Sequence, residues 1–350
     1  MTLEELGWSA FFADGFEPYN SDGRIPARVA VRHHGPCELL TEQGPLGGIS
    51  SGRLEATELP AVGDWVAARP LPGERKAVID AVLPRRSAFT RKEAWERTVE
   101  QVVAANVDTV FLVSAFRHDL NPRRTERYLT AAWESGAEPV LVLNKADLST
   151  DPVAEAAPVE AIAFGVPVHL VSAASGDGLE ALESHLAVGR TVALLGSSGV
   201  GKSTLLNRLA GRRVMKTREL RQDGRGRHTT SHRELVPLPG GGLLLDTPGM
   251  RELQLWAGEE SLDATFDDVV SLFGGCRFTD CSHEQEPGCA VQAALAEGTL
   301  SRERYDSWRK LQRELRRLEI RQDARLRAES RKEIRRFSRS IKHLKKVRDR

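Results

Sequence analysis

The sequence contains no long uninterrupted run of apolar residues. No segment of the chain reaches the roughly 18 consecutive apolar residues that a membrane-spanning helix needs. The first residues, MTLEELGWSAFFADGF, also lack the basic start and apolar stretch of a secretory leader. These absences exclude the membrane class and predict a cytoplasmic protein. With 40% hydrophobic and 28% charged residues over 350 positions, the chain is globular and long enough for two or three domains.

Net charge is nearly absent too, at +1, but the charges are unevenly distributed. Residues 301–350 carry 20 Lys or Arg against 8 Asp or Glu, which leaves 30 against 41 in the first 300 residues. Apolar residues at three- and four-residue spacing between 334 and 347 predict an amphipathic helix with basic flanks. A solvated, Arg-rich helix would have a similar composition. Because the excess charge of residues 301–350 is basic, we favour a nucleic acid partner.

Cysteine is scarce, with four residues, so no disulfide framework is expected in a reducing compartment. Cys37 stands alone, and the other three lie with a histidine in CRFTDCSHEQEPGC, spaced C-x4-C-x-H-x5-C. Three thiolates and one imidazole complete a tetrahedral zinc shell and leave no open position for catalysis. The alternative is three small buried residues beside a surface histidine. We predict a structural Zn²⁺ held by Cys276, Cys281, His283 and Cys289.

Residues 24–83 alternate short β-rich runs with turn clusters such as EQGPLGG and RPLPGER. Helical periodicity is absent from this segment. Several short strands at this spacing predict a small β-barrel, and its size beside a basic element favours an oligonucleotide-binding (OB) barrel that binds RNA. A small β domain without a ligand is the alternative.

From about residue 95 the sequence contains apolar, β-branched runs with helical-length segments between most of them. These runs are VDTVFLVSAF, EPVLVLNKAD, GVPVHLVSA, RTVALLGSSG and GGLLLDTPG. They predict buried strands of a parallel sheet. Because ligands of open α/β sheets bind at the carboxyl ends of the strands, the polar motifs that follow these runs should share one edge.

The segment GSSGVGKST follows the strand TVALL and opens the helix KSTLLNRLAG, which is the context of a phosphate-binding loop. Gly196, Gly201, Lys202 and Ser203 occupy the fixed positions of that motif. Backbone N–H groups would surround the phosphates, Lys202 would neutralise the β and γ oxygens, and Ser203 would offer its hydroxyl to Mg²⁺.

The segment NKAD ends the run PVLVL and predicts a site that reads a guanine base. The carboxylate of Asp147 can accept hydrogen bonds from the guanine ring N–H and exocyclic amine, whereas adenine presents an acceptor there. Asn144 would tie the loops together and Lys145 would lay its methylene stem along the base. SAASGDGL, at 172–179, gives Ala173 a backbone N–H for guanine O6.

The segment DTPG follows the run GGLLL and predicts contacts to the metal and the γ-phosphate. Asp246 would reach Mg²⁺ through water, and Gly249 would donate its backbone N–H to the γ-phosphate. The next residue is Met250, where a glutamine that orients water is expected, so intrinsic hydrolysis should be slow. The missing group would come from a partner or from the switch segment RQDGRGRHTTSHREL, at 221–235, which offers these candidates: His228, Arg225 and Arg227.

The base-reading motif precedes the phosphate loop, whereas ordinary GTP-binding domains have the reverse order. The order NKAD, SAA, GSSGVGKST, GRHTT, DTPG resembles that of the circularly permuted GTPases. The barrel and the Cys/His cluster narrow the resemblance to the ribosome small subunit-dependent GTPase A family. It covers nearly the whole chain, through RHHGPCEL, LPAVGDWVA, QVVAANVDTVFLV and CRFTDCSHEQEPGC.

The resemblance implies an α/β P-loop GTPase with a circularly permuted parallel sheet, preceded by a small OB-fold β-barrel and followed by a zinc-binding helical module. The expected domains are 1–92, 93–258 and 259–350. It further implies a monomeric GTP hydrolase that binds the small (30S) ribosomal subunit and its rRNA, acts in late assembly, and is stimulated by the subunit. An RNA-binding module with a regulatory GTP site is the alternative. A GTP-dependent metallochaperone is a third, against which the filled zinc shell argues.

The resemblance also implies roles for individual residues. The nucleotide-binding residues would be Asn144, Lys145, Asp147, Ser172, Ala173, Gly196, Ser197, Ser198, Gly199, Val200, Gly201, Lys202, Ser203, Thr204 and Gly249. Ser203 and Asp246 would bind magnesium, and Cys276, Cys281, His283 and Cys289 would bind zinc. The catalytic candidates are Lys202, His228, and Thr229 or Thr230 as the switch threonine.

Overall fold

The computed structural model describes residues 1–20, 23–32, 36–52, 54, 59–92, 100–117, 119–212, 233–246 and 259–322. The chain forms two compact units, Met1–Gln254 and Leu255–Arg350. The predicted basic helix of the tail lies outside the described residues. So do these predicted site residues: Arg225, Arg227, His228, Thr229, Thr230, Gly249 and Met250.

The first unit begins with a closed five-stranded barrel. Its strands are β1 (Ile25–Arg32), β2 (Cys37–Thr41), β3 (Gly44–Ser50), β4 (Trp65–Pro70) and β5 (Lys76–Val82). They pair in the order β1-β2-β3-β5-β4, and β4 returns to β1 to close the barrel. The pairings are antiparallel except β3 with β5. Helix α1 (Ala10–Phe16) packs Phe12 and Phe16 against Trp65. The predicted OB-type barrel is confirmed.

A hairpin of β6 (Ala88–Lys92) and β7 (Glu100–Ala105) connects the barrel to a larger sheet. The elements that follow are β8 (Thr109–Ala115), α2 (Pro122–Ser135), β9 (Glu138–Asn144), α3 (Pro152–Glu160), β10 (Val168–Val171), β11 (Thr191–Leu195), α4 (Lys202–Leu209), β12 (Arg233–Pro237) and β13 (Leu243–Asp246). The expected domain boundary between residues 92 and 93 falls within the β6–β7 connection and stays a prediction.

The strand order of this sheet is β10-β9-β8-β11-β13-β12. Pairings are parallel except between β12 and β13. Strand β11, which leads into GSSGVGKST, lies in the middle. The three strands before it in the chain lie on one side and the two after it on the other. The chain therefore enters the sheet part-way across, as a circular permutation requires. Strand β12 also pairs with β1, so barrel and sheet form one eleven-stranded sheet.

The central strands are buried on both faces, as their unbroken apolar sequence predicts. Alternate residues of β8 point to opposite faces, so Val110 and Leu112 pack on one side and Phe111 and Val113 on the other. Helices α2 and α3 cover the first face and α4 covers the second. Helix α2 begins at Pro122 after an Asn121 cap and ends before a left-handed Gly136, so each of its ends follows from local sequence.

Arg28 of β1 joins three parts of the first unit. It is only 1% exposed, and burial lowers its pKa to about 10, which still leaves it charged at neutral pH. Its guanidinium donates to Leu6 O, to Gly63 O at 3.3 Å, to Asn106 O at 3.1 Å and to Thr191 Oγ1 at 2.8 Å. One side chain thus connects the N-terminal segment, the barrel and the larger sheet that contains β11.

Replacing Arg28 with alanine should destabilise the first unit by about 3–5 kcal/mol, because buried acceptors would lose their donor. Urea unfolding followed by circular dichroism measures this change. Arg24→Ala is the matched control, since Arg24 directly precedes β1 and pairs with Asp80 at 2.9 Å, where both side chains are partly exposed. The control should cost about 1 kcal/mol or less. Equal losses would contradict the role given to Arg28.

The second unit is helical. Its helices are α5 (Glu259–Thr265), α6 (Asp267–Val270), α7 (Ala290–Glu297) and α8 (Arg302–Gln322). Phe266, Tyr305 and Trp308 lie in its core. The buried Arg304 pairs with Asp268 at 2.8 Å and lies over the Phe266 ring, 4.2 Å from its centroid. Within the described part of the chain, no helix combines the length and apolarity that crossing a membrane requires.

Candidate nucleotide site and metal centre

The loop between β11 and α4 needs glycine at two positions. A Cβ added to Gly196 would lie 2.1 Å from Val113 O, and one added to Gly201 would lie 2.3 Å from Asn144 Nδ2. Gly201 also has a φ of +97°, a backbone conformation that other residues rarely adopt. The predicted phosphate loop is therefore shaped by its two fixed glycines, and it wraps closely against the neighbouring strands.

Lys202 is the first residue of α4, and its ammonium is held by the loop itself. Lys202 Nζ donates to Gly196 O and to Ser197 O, both at 2.7 Å. Ser203 and Thr204 follow in the first helical turn and are half-buried. A helix N-terminus, backbone N–H groups and an anchored ammonium lie together here, and each of them favours a phosphate group.

Asn144 connects three loops. It ends β9 and is 1% exposed. Its Nδ2 donates to Val200 O at 2.7 Å, while its Oδ1 accepts the N–H of Ala173 at 2.9 Å. Lys145 has a left-handed backbone and its Nζ donates to Gly199 O at 2.6 Å. The NKAD, SAA and phosphate-loop segments are thus brought together, as the sequence predicts.

The remaining predicted base-site residues lie beside Asn144. Asp147 is exposed in a short 3-10 helix, Ala146–Leu148, and makes no hydrogen bond or ion pair with any residue that the structure describes. Its carboxylate is therefore available to a base. Ser172 is buried and accepts the N–H of Ser175 at 3.2 Å. The Ala173 N–H, predicted to donate to guanine O6, here donates to Asn144, and its role toward a base stays a prediction.

Asp246 is the last residue of β13, the parallel neighbour of β11. Its position is therefore at the same sheet edge as the phosphate loop and Ser203. Aspartate and serine supply oxygen ligands of the kind that Mg²⁺ prefers. The residues present fit a nucleoside triphosphate with its magnesium.

The four predicted zinc ligands form a cluster in the second unit. Cys276, Cys281, His283 and Cys289 place their ligand atoms within 4.8 Å of one another. His283 Nδ1 lies 3.5 Å from Cys276 Sγ and 3.7 Å from Cys289 Sγ, and those two sulfurs are 4.0 Å apart. A tetrahedral zinc with metal–sulfur bonds of about 2.3 Å would separate such atoms by roughly 3.5–3.8 Å. The cluster can therefore hold a metal ion.

The backbone of His283 is fixed by residues that the spacing of the ligands does not reveal. His283 O accepts a hydrogen bond from Gln292 Nε2 at 2.6 Å and from the Tyr305 hydroxyl at 2.7 Å. The His283 ring stacks on Phe273 with their centroids 4.1 Å apart. Burial lowers the pKa of His283, so its imidazole is neutral at neutral pH, the form that binds metals. These contacts orient the ligand before any metal arrives.

Known proteins share both the sequence and the fold of this chain. The family model described as RsgA GTPase matches residues 82–256. A protein named "Small ribosomal subunit biogenesis GTPase RsgA" from Opitutus terrae is 53% identical over 329 residues, which cover 90% of each chain. The chain belongs to the RsgA GTPase family. A solved structure agrees with this assignment. The crystal structure of YjeQ from Thermotoga maritima matches with a TM-score of 0.65 and 29% identity, over 83% of this chain and 98% of that one.

A second solved structure shows only that the fold is shared. It is the crystal structure of YloQ, described as a circularly permuted GTPase, with a TM-score of 0.61 and 23% identity, over 85% of this chain and 96% of that chain. The predicted family, the permuted α/β fold with its barrel and cysteine–histidine module, and the GTP hydrolase activity are confirmed.

Sequence reasoning missed one residue in the loop that follows β8, Arg117, and one in the first turn of α2, Arg124. Arg117 has a φ of +79°, and its Nε donates to Leu148 O beside the base loop, at 2.9 Å. Arg124 pairs with Asp119 and donates to Ser197 Oγ of the phosphate loop, at 2.9 Å. These residues match no motif. The signal that could have found them is position, because their loop leaves the carboxyl end of the strand next to β11.

Proposed function

We propose that this chain hydrolyses GTP on the small ribosomal subunit and acts in the late assembly of that subunit. Its relatives' names, such as "Small ribosomal subunit biogenesis GTPase RsgA", support the choice of partner. The observation that carries the proposal is the set of hydrogen bonds between the NKAD segment and the phosphate loop. Asn144 and Lys145 both donate to phosphate-loop carbonyls, so a guanine site and a triphosphate site are held at a fixed separation.

Each nucleotide-contacting residue has a proposed task. Asp147 accepts the guanine ring N–H and amine, and Lys145 lies along the base. Lys202 neutralises the charge that develops on the β and γ oxygens during phosphoryl transfer. Ser203 and Asp246 would hold Mg²⁺, which would neutralise negative charge on the phosphate oxygens. The family's loop residues Ser197, Ser198, Gly199, Val200 and Thr204 complete the cradle.

Hydrolysis on the free protein is proposed to be slow. Met250 stands where a water-orienting glutamine is expected, and a thioether accepts hydrogen bonds only weakly and donates none. The water would be oriented by His228, with Arg225 or Arg227 as alternatives, and Thr229 or Thr230 would contact magnesium as the switch threonine. Docking to the subunit would place these groups and raise turnover.

The cysteine–histidine cluster is proposed to hold a structural zinc ion. Four protein ligands fill its coordination shell and leave no position for a substrate. The barrel, the zinc module and the basic C-terminal segment would contact rRNA, the last through phosphate groups. We further propose that the protein is monomeric and cytoplasmic, that it releases GDP after each turnover, and that GTP hydrolysis frees it from the subunit.

The test is GTP turnover measured with and without purified small ribosomal subunits. We expect subunits to raise turnover of the wild-type protein. Ser203→Ala is the control, since it should lose Mg²⁺-dependent turnover while still folding. A wild-type protein that binds subunits but shows no stimulated turnover would favour the alternative, an RNA-binding module with a regulatory nucleotide site.

Asp147→Asn should lower affinity for GTP by about 100-fold or more, because the asparagine amide replaces one acceptor with a donor that faces the guanine N–H groups. Equilibrium titration with fluorescent GTP and ATP analogues measures the change. Asp151→Asn is a matched control, because Asp151 is also exposed but caps α3 by accepting the Ala154 N–H at 3.1 Å. Unchanged nucleotide selectivity in Asp147→Asn would contradict the base-reading assignment.

A further inference from the structure

Arg124 lies in the first turn of α2 and reaches the phosphate loop. Its Nη1 atom donates to Ser197 Oγ at 2.9 Å. The same Nη1 atom pairs with Asp119 Oδ1, on the loop that leads from β8 into the helix. The guanidinium is therefore held between its own loop and the loop that cradles the phosphates.

Ser197 links Arg124 to the lysine of the phosphate loop. The hydroxyl of Ser197 accepts from Arg124, and its backbone oxygen accepts from Lys202 Nζ at 2.7 Å. Ser197 is half-buried. Within the described residues, the hydrogen bond from Arg124 is the only one that joins the Ser197 side chain to another side chain. The position of one anchor of the Lys202 ammonium thus depends on Arg124.

Asp119 directs the Arg124 guanidinium toward Ser197. Its side chain is 18% exposed, against 37% for Arg124. Its second oxygen, Oδ2, is buried and has no hydrogen-bond partner among the described residues. A buried carboxylate oxygen without a donor is costly, so this aspartate is tolerated only while the guanidinium neutralises its charge. The Asp119–Arg124 pair is accordingly a fixed unit rather than a mobile surface pair.

We propose that Arg124 is a positioning residue for GTP hydrolysis, which acts through Ser197 to fix the ammonium of Lys202. The inference rests on the proposed GTP-hydrolysing function and adds a residue to it. Arg124 contacts the loop and not the reacting atoms, so it is not a catalytic residue. Negative charge develops on the phosphate oxygens in the transition state, and the Lys202 ammonium must be correctly placed to stabilise it. Arg124 should therefore affect the transition state more than the bound ground state.

Loss of Arg124 should therefore change kcat more than it changes KM. Arg124→Ala should lower kcat roughly 3- to 10-fold, which matches the net contribution of one typical hydrogen bond, while KM changes less than about 2-fold. Ser197→Ala should cause a similar loss. The double variant should lose no more than either single variant, because both remove the same interaction.

Arg123→Ala is the matched control. Arg123 precedes Arg124 on the same helix, is exposed, and makes no side-chain hydrogen bond or ion pair with the described residues. Its replacement should leave kcat unchanged. Arg124→Lys should recover most of the lost turnover, since an ammonium can still donate to Ser197 and pair with Asp119. Thermal unfolding of all variants should agree within a few degrees.

A second measurement does not require turnover. The ³¹P chemical shifts of a bound non-hydrolysable GTP analogue report the position of the lysine against the phosphates. Arg124→Ala and Ser197→Ala should shift the β- or γ-phosphate signal alike, and Arg123→Ala should not. If the wild-type protein has no turnover, the proposed function fails, but these shifts still decide the role of Arg124. Unchanged shifts and kcat in Arg124→Ala, a change confined to KM, or additive losses in the double variant would overturn the proposal.

Discussion

Replacing Lys202 with alanine is expected to lower GTP turnover by about 100- to 1,000-fold, the usual loss when a preorganised group that stabilises transition-state charge is removed. The ammonium already lies in the phosphate loop, held by Gly196 O and Ser197 O at 2.7 Å each. It therefore pays no reorganisation cost when negative charge develops on the phosphate oxygens. Single-turnover hydrolysis with saturating GTP and Mg²⁺ measures the loss.

Lys202→Arg tests whether charge alone suffices. A planar guanidinium is bulkier than an ammonium and cannot occupy the space between the two carbonyl groups, so turnover should remain low. Both variants should unfold at about the wild-type temperature, because Lys202 is half-buried and fills no apolar core. Turnover close to wild type in Lys202→Ala would show that this ammonium is not part of the hydrolytic site.

The sequence predicts the nucleotide sheet well because its strands are apolar runs that end in recognisable polar motifs. Strands β8, β9, β10, β11 and β13 coincide with the runs identified from the sequence. The order of the motifs along the chain already implies the permutation, since base reading precedes phosphate binding. The positions of Asn144 and Lys145 against the phosphate loop follow once these strands form one sheet.

Residues that act through long-range contacts could not be predicted in the same way. Arg28 stands in an alternating strand, where a charged residue normally indicates the solvent face, yet it is buried by contacts with residues up to 163 positions away. Arg124 sits in a helix start that resembles many others. Its partner Ser197 is 73 positions later in the chain, so only the fold brings them together.

The metal cluster, too, has one part that the sequence predicts and another part that only the fold reveals. Its four ligands lie within fourteen positions, so their spacing alone predicts the cluster. The groups that hold the His283 backbone come from α7 and α8. The Tyr305 hydroxyl lies 22 positions after His283 and follows no spacing rule, so it was found only in the structure.

Cys281→Ser is expected to abolish metal binding and partly unfold the second unit. Three of the four described helices of this unit are short, with seven residues in α5, four in α6 and eight in α7. Such helices are marginal by themselves, so the unit depends on its small core and on the metal. Elemental analysis should find one zinc per wild-type chain and close to none in the variant. Hydrogen exchange should become faster across residues 259–322.

Cys37→Ala is the matched control for Cys281→Ser, because Cys37 is also a free cysteine but lies in the barrel core. It should retain the zinc and the slow exchange of residues 259–322. Basal GTP turnover should survive in Cys281→Ser, since every described residue of the nucleotide site lies within Met1–Gln254. A Cys281→Ser protein that keeps its zinc would contradict the ligand assignment. One that loses zinc but keeps slow exchange would show that the helical core is stable without metal.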